Sequence, residues 1–240
     1  MTTMKNTIRL LGAAFLLQAI ASGASALLAP IDMLIVSGNI ADNMTKIAHN
    51  AMGLRASIVA EMITAMGIVM LGSLLYIVLK KQNGTIALVA LGLYLIEAAI
   101  LAASRMPAFS LLRVSQAYVQ AGNPVELETL GTLFYEAQSF GNSLHMVAFA
   151  TGATLFYALF YKAGTVPRPL IIFGLIAAPV ALVGTLLALL GFHVPLYVYI
   201  PNLPFELGIG LWLLIKGISV DTEKHQPTAD LGLTPGTHPV

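Results

Sequence analysis

Residues 54–81 read LRASIVAEMITAMGIVMLGSLLYIVLKK, and the meaning of this stretch settles what kind of protein this is. From Leu54 to Leu79 the only charged side chains are Arg55 and Glu61, and then Lys80 and Lys81 close the run. A helix needs roughly 20 apolar residues to cross ~30 Å of hydrocarbon. This stretch is long enough, and the lysine pair marks where it leaves the lipid.

The same test applied outward finds five more spans. They are Ile8–Leu28, Thr85 to about Ser104, about Asn142 to Tyr161, Leu170–Leu190, and about Val198 to Ile215. The expected fold is therefore an all-α polytopic membrane bundle of about six helices. Composition agrees. Hydrophobic residues make up 58% of the 240 residues and charged residues 10%, where a soluble domain carries about 25% charged. In water such a chain lacks the charged surface that would keep it dissolved. A net charge of +1, with no basic stripe, excludes nucleic acid as a partner. Cysteine is absent, which excludes disulfides, thiolate zinc sites and cysteine nucleophiles.

The first span has a rival reading. Lys5 and Arg9 precede an apolar run, and Ala24-Ser25-Ala26 resembles a signal-peptidase site. The run is long for a signal sequence, so a retained helix is expected. Charge placement then orients the chain. With the N-terminus inside, Lys5, Arg9, Lys80, Lys81, Lys162, Arg168, Lys216 and Lys224 are cytoplasmic, and Lys46, Arg55, Arg105 and Arg113 are outside. This excess satisfies the positive-inside rule and puts both termini in the cytoplasm.

Two longer connections fall outside. Pro30–Gly53 carries an apolar helical stripe (Ile40, Met44, Ile47, Met52) and is expected at the interface or as an extension of the second helix. Arg105–Gly122 is similar, with Phe109, Leu112 and Val119. Asn123-Pro124-Val125-Glu126 reads as a helix start, with asparagine as the cap, proline in the first turn and glutamate reaching back. An unbroken helix from there to Tyr161 is ~57 Å long at 1.5 Å per residue. It must project outward or bend, with Gly141 as the candidate bend. The sequon Asn43–Thr45 matters only in a eukaryotic secretory pathway. Ala19 and Gly23, four apart, are the expected small-residue contact on the first helix. The expected domains are a six-helix membrane domain over 1–218 and a disordered cytoplasmic tail over 219–240, polar and rich in Pro, Gly and Thr.

The candidate ligand-binding residues are the polar ones at membrane depth: Glu61, Glu97, His145, Glu206 and Asn142, with Gln138 beside them and Glu136 above. A charge buried in lipid costs at least ~2.5 kcal/mol, so such residues usually face protein or water. Glu61 lies ~9 Å and Glu97 ~12 Å from the outer face, and Glu206 ~15 Å from the inner one, close to the midplane. Convergence in the outer half of the membrane is the expectation. Each has a structural alternative. Glu61 can pair with Arg55, Glu97 can pair with Arg105, and His145 can be a satisfied interior histidine. Glu206, once protonated, can donate to a carbonyl freed by Pro201 or Pro204.

The chain resembles an uncharacterised bacterial six-helix membrane family, domain of unknown function 4386, from about Ile8 to Ile218. The resemblance rests on Leu54-Arg55 followed by Glu61, Leu75-Tyr76 before the lysine pair, Pro167-Arg168, and Glu206-Leu207 leading to Leu211-Trp212-Leu213-Leu214-Ile215-Lys216-Gly217. It implies a retained first helix and a bacterial plasma membrane, and it implies no reaction.

Three functions stay open. One is a transport or binding protein whose polar cluster takes a small cation, a proton or an amphiphile from the surrounding bilayer. A second is an intramembrane enzyme using the same carboxylates, around a metal or without one. The third is an accessory protein that uses the acids only for packing. No zinc-protease motif, phosphate loop or nucleophile elbow is present, so catalytic residues, metal and cofactor are left unassigned.

Overall fold

The computed structural model describes residues 2–29 and 39–216, and side chains from Lys5 onward. Among these residues every regular element is a helix. In chain order they are α1 (Thr2–Leu28), α2 (Ile40–His49), α3 (Ala51–Leu79), α4 (Gly84–Ala103), α5 (Arg105–Gln120), α6 (Val125–Ala163), α7 (Arg168–Leu189), a 3-10 turn (Leu196–Val198) and α8 (Asn202–Ile215). Six stretches are long and apolar enough to cross a membrane. The protein is a multi-pass membrane protein. The expected tail, 219–240, and the segment 30–38 lie outside the described residues.

Six helices form a ring. α1 packs on α3, α3 on α4, α4 on α6, α6 on α7, α7 on α8, and α8 returns to α1. Lipid offers no hydrophobic drive between helices, so close approach of backbones takes over. Gly12 supplies it between α1 and α8: a Cβ there would lie 2.5 Å from the Leu214 nitrogen and 2.7 Å from the Gly210 oxygen. The expected contact at Ala19 and Gly23 is half right. Ala19 is buried, but a Cβ on Gly23 would meet nothing within 4 Å. Ser25 and Ser57 add a 2.8 Å hydroxyl bridge between α1 and α3. The ring encloses one large core, which includes Phe15, Leu71, Leu75, Tyr94, Phe156, Tyr157, Phe160 and Phe205.

A smaller cluster caps the end of the bundle where α1 finishes. Ala29, Ile47 and Leu54 meet Leu111 and Leu112 of α5, with Phe134 and Tyr135 of α6 packed alongside. α2 is thus a separate helix packed on the end of the bundle, not an extension of α3. Asn39 caps its start, Asn50 separates it from α3, and its Met44 and Ile47 are buried inward.

Three local expectations are corrected. α6 runs unbroken from Val125 to Ala163, so it projects beyond the hydrocarbon. Gly141 lies within that unbroken helix and serves close packing: a Cβ there would collide with Ser104 Oγ. Asn123 does not cap α6. It takes a left-handed φ of 64° after Gly122 at 78°, and its N–H donates to the Tyr118 carbonyl at 2.9 Å. The pair therefore ends α5, because the chain must reverse within a few residues and Asn tolerates this backbone better than most side chains. The sixth span, finally, is discontinuous. Prolines 195, 201 and 204 remove backbone donors, and regular α-helix begins only at Asn202. The carbonyl of Pro201 accepts from the Phe205 N–H.

Candidate functional site

The core holds a polar group built from four helices. α4 buries the stripe Ala87, Ala90, Tyr94, Glu97, Ala98 and Leu101, which places a tyrosine and a carboxyl one turn apart and facing inward. α8 buries Phe205, Glu206, Ile209 and Leu213. α1 contributes Gln18 and α6 contributes Tyr157, both buried.

Glu206 accepts a 2.8 Å hydrogen bond from Gln18 Nε2. Glu97 is 4% exposed and lies close enough to Glu206 to interact electrostatically. Tyr94 and Tyr157 interact with both carboxyls. The two phenol hydroxyls approach one another, but neither completes a hydrogen bond of ordinary geometry, and Glu97 Oε2 has no partner either. Among the described residues no Lys, Arg or His is one of the groups that face Glu97 or Glu206. Buried polar atoms without partners are rare, and each asks for an explanation.

Glycines fit the surrounding helices to these side chains. A Cβ on Gly72 would come within 3.0 Å of Tyr94 Cβ, and one on Gly152 within 2.8 Å of Tyr94 Cδ2. Gly67 lies against Gln18, and Gly174 lies against the ring of Phe205. That ring stacks tilted on Tyr157 at 4.5 Å, and Tyr94 meets Phe156 edge-on at 5.2 Å. The site is tight.

The expected ligand residues thus divide. Glu97 and Glu206 come together. Asn142 and His145 form a second group with Arg105, nearer the cap. There the Arg105 guanidinium donates to Asn142 Oδ1 and its Nε donates to the Leu101 carbonyl at 3.3 Å. Arg105 also acts electrostatically on His145, whose Nδ1 is buried without a hydrogen-bond partner. Arg105 therefore turns to α6, while Glu97 keeps its unpartnered oxygen. Glu61 is half-buried on α3 and engaged in a polar contact. It lies on the inward stripe of Ser57, Thr64 and Ile68, ~9 Å along the axis from Gly67, and is not among the groups that face the carboxyl pair. The donor to Glu206 is Gln18, not a proline-freed carbonyl taking its proton. Among the described residues no three His, Cys, Asp or Glu side chains are grouped to hold a metal ion.

Gln18, Tyr94 and Tyr157 were not expected from sequence. Gln18 left a signal, as the sole amide in the apolar run 10–28. The tyrosines left none, because an aromatic residue in a membrane helix is ordinary.

A family model described as a domain of unknown function (DUF4386) matches residues 10–217. No curated protein and no solved structure matches the chain.

Proposed function

The chain belongs to the DUF4386 family, and from the buried site of this member we propose that it binds and carries a proton or a small monovalent cation at the Glu97–Glu206 pair. One observation carries the reading: among the described residues two carboxyls share the core with no cationic side chain facing them, and one carboxyl oxygen has no partner. A charge at membrane depth needs a counter-charge or neutralisation. A proton supplies it outright. A cation of the size of Na⁺ would be held by hard oxygen donors, and the carboxylates and the Tyr94 and Tyr157 hydroxyls are of that kind.

The close packing at Gly72, Gly152 and Gly174 favours a small ion over the amphiphile. The discontinuous sixth span fits the same reading. Carriers often form midplane ion sites from interrupted helices, and Glu206 follows the interruption by one turn. Placement in a bacterial plasma membrane, with both termini cytoplasmic, is part of this proposal. The lysine and arginine bias supports that orientation.

The test is infrared difference spectroscopy on protein in liposomes, stepped first in pH and then in Na⁺. Wild type should show the carbonyl band of a carboxylic acid gained and lost with the step. The double variant Glu97→Gln, Glu206→Gln should lose it, and its ion flux should drop to that of empty liposomes. Identical spectra and flux from wild type and variant would overturn the proposal.

A further inference from the structure

We infer that in this conformation protons reach the carboxyl pair from the cap end, along the seam between α4–α5 and α6, with His145 as the relaying group. The inference rests on the reading of Glu97 and Glu206 as an ion site. What it adds is a route, a direction and a residue.

The helices define the seam by their register. Tyr94 packs on Gly152, and Ser104 packs on Gly141. Arg105 donates to Asn142, and Tyr118 donates to Glu128 at 2.9 Å. Each contact pairs positions that descend on one strand of this hairpin as they rise on the other, so α4 and α5 run antiparallel to α6 throughout. On that register His145 stands opposite Leu101. Glu97 lies one helical turn further into the membrane, ~6 Å along the axis. Asn142 lies about one turn from His145 on the cap side, and Gln138 one turn beyond that.

The polar groups along this line are also short of partners. Gln138 Oε1, His145 Nδ1, Glu97 Oε2 and the Tyr94 hydroxyl are all buried without a hydrogen-bond partner. Four such atoms on one seam, two turns apart between Gln138 and His145 with Asn142 midway and one turn apart from there to Tyr94, have the pattern of a path that water completes. Imidazole is the group suited to the middle of it, because it takes a proton on one nitrogen and releases one from the other. The charged group facing His145 is Arg105 from α5, which Asn142 and the Leu101 carbonyl hold in place. From α4 the nearest titratable group is Glu97, one turn away, and the same strip of α6 carries no other.

On the opposite side of the pair the α4–α6 seam is closely packed. Beyond Tyr94 the seam is filled by Ala87, Ala90, Phe156 and Phe160, each fully buried. Of the polar side chains on this stretch of α6, Tyr157 belongs to the site itself, Thr154 returns its hydroxyl to the Ala150 carbonyl of its own helix, and Lys162 reaches the Gln82 carbonyl at the far end. A path along this seam from that side would have to pass the Phe156 and Phe160 rings, both fully buried, whose apolar faces offer water no hydrogen bond.

The experiment is time-resolved infrared spectroscopy after a pH jump applied separately to each face of liposomes with known protein orientation. In wild type the carboxyl band should respond quickly to a jump on the cap face and slowly to one on the other. His145→Gln should slow the cap-face response by about a hundredfold, the low end for loss of a positioned proton carrier, and leave the final amplitude unchanged. Gln138→Leu, an apolar change within a buried helix face, should also slow it. An unchanged rate in both variants, or a faster response from the opposite face, overturns the route while the carboxyl reading stands. A wild-type band that never moves overturns both.

Discussion

At the scale of single residues, the contact that gathers the site is Gln18 with Glu206, 188 positions apart in the chain. Both carboxyls were among the residues marked in sequence, because a glutamate in an apolar run is costly unless it faces protein or water. Their partners were not, because a glutamine or tyrosine in a membrane helix is tolerated wherever it points. The contact has a measurable consequence. Gln18→Leu removes the donor and leaves Glu206 Oε2 buried without one, which should cost about 1–3 kcal/mol. Ser73→Ala is the control, since Ser73 only returns a bond to Val69 in its own helix, and should change stability by no more than about 0.5 kcal/mol. Detergent-titrated unfolding of the purified protein measures both. Equal stability of Gln18→Leu and wild type would mean that the bond does not hold the site.

At the scale of elements, the helices follow from hydropathy, and their contacts do not. Any of several small residues on α1 could have faced a neighbour. Gly12 does so, and Gly23 does not. Gly12→Ala drives a methyl group into the backbone of α8 and should destabilise by about 1–3 kcal/mol. Gly23→Ala meets open space and should stay within about 0.5 kcal/mol of wild type. The same unfolding assay separates them, and a neutral Gly12→Ala would contradict the α1–α8 crossing. The end of α5 makes a related point. Asn123 and Pro124 resemble a helix start in sequence, yet the tight reversal after Gln120 recruits Gly122 and Asn123 into left-handed conformations. Local signals compete there, and the closing of the α5–α6 hairpin decides between them.

At the scale of the whole molecule, a six-helix ring carries a helical cap on the end remote from Lys80, Lys81 and Lys162. Because the chain has no cysteine, a single introduced one is a unique reporter. Cysteines at Lys81→Cys and Gln120→Cys should react with a membrane-impermeant thiol reagent from opposite faces of sealed vesicles. Labelling of both from one face would refute the topology.

The sequence by itself determined the class of fold and the six spans, and it marked the polar residues at membrane depth without saying which of them meet, because hydrocarbon thickness and the cost of a buried charge act on each helix separately. Only the tertiary structure decided which polar groups meet. It joined Glu97 and Glu206 with Gln18, Tyr94 and Tyr157, and gave Asn142 and His145 to Arg105. The physical reason is that apolar faces in lipid are nearly interchangeable. The rotation and register of each helix come from close steric fits, such as Gly152 on Tyr94 and Gly12 on α8, between residues far apart in the chain.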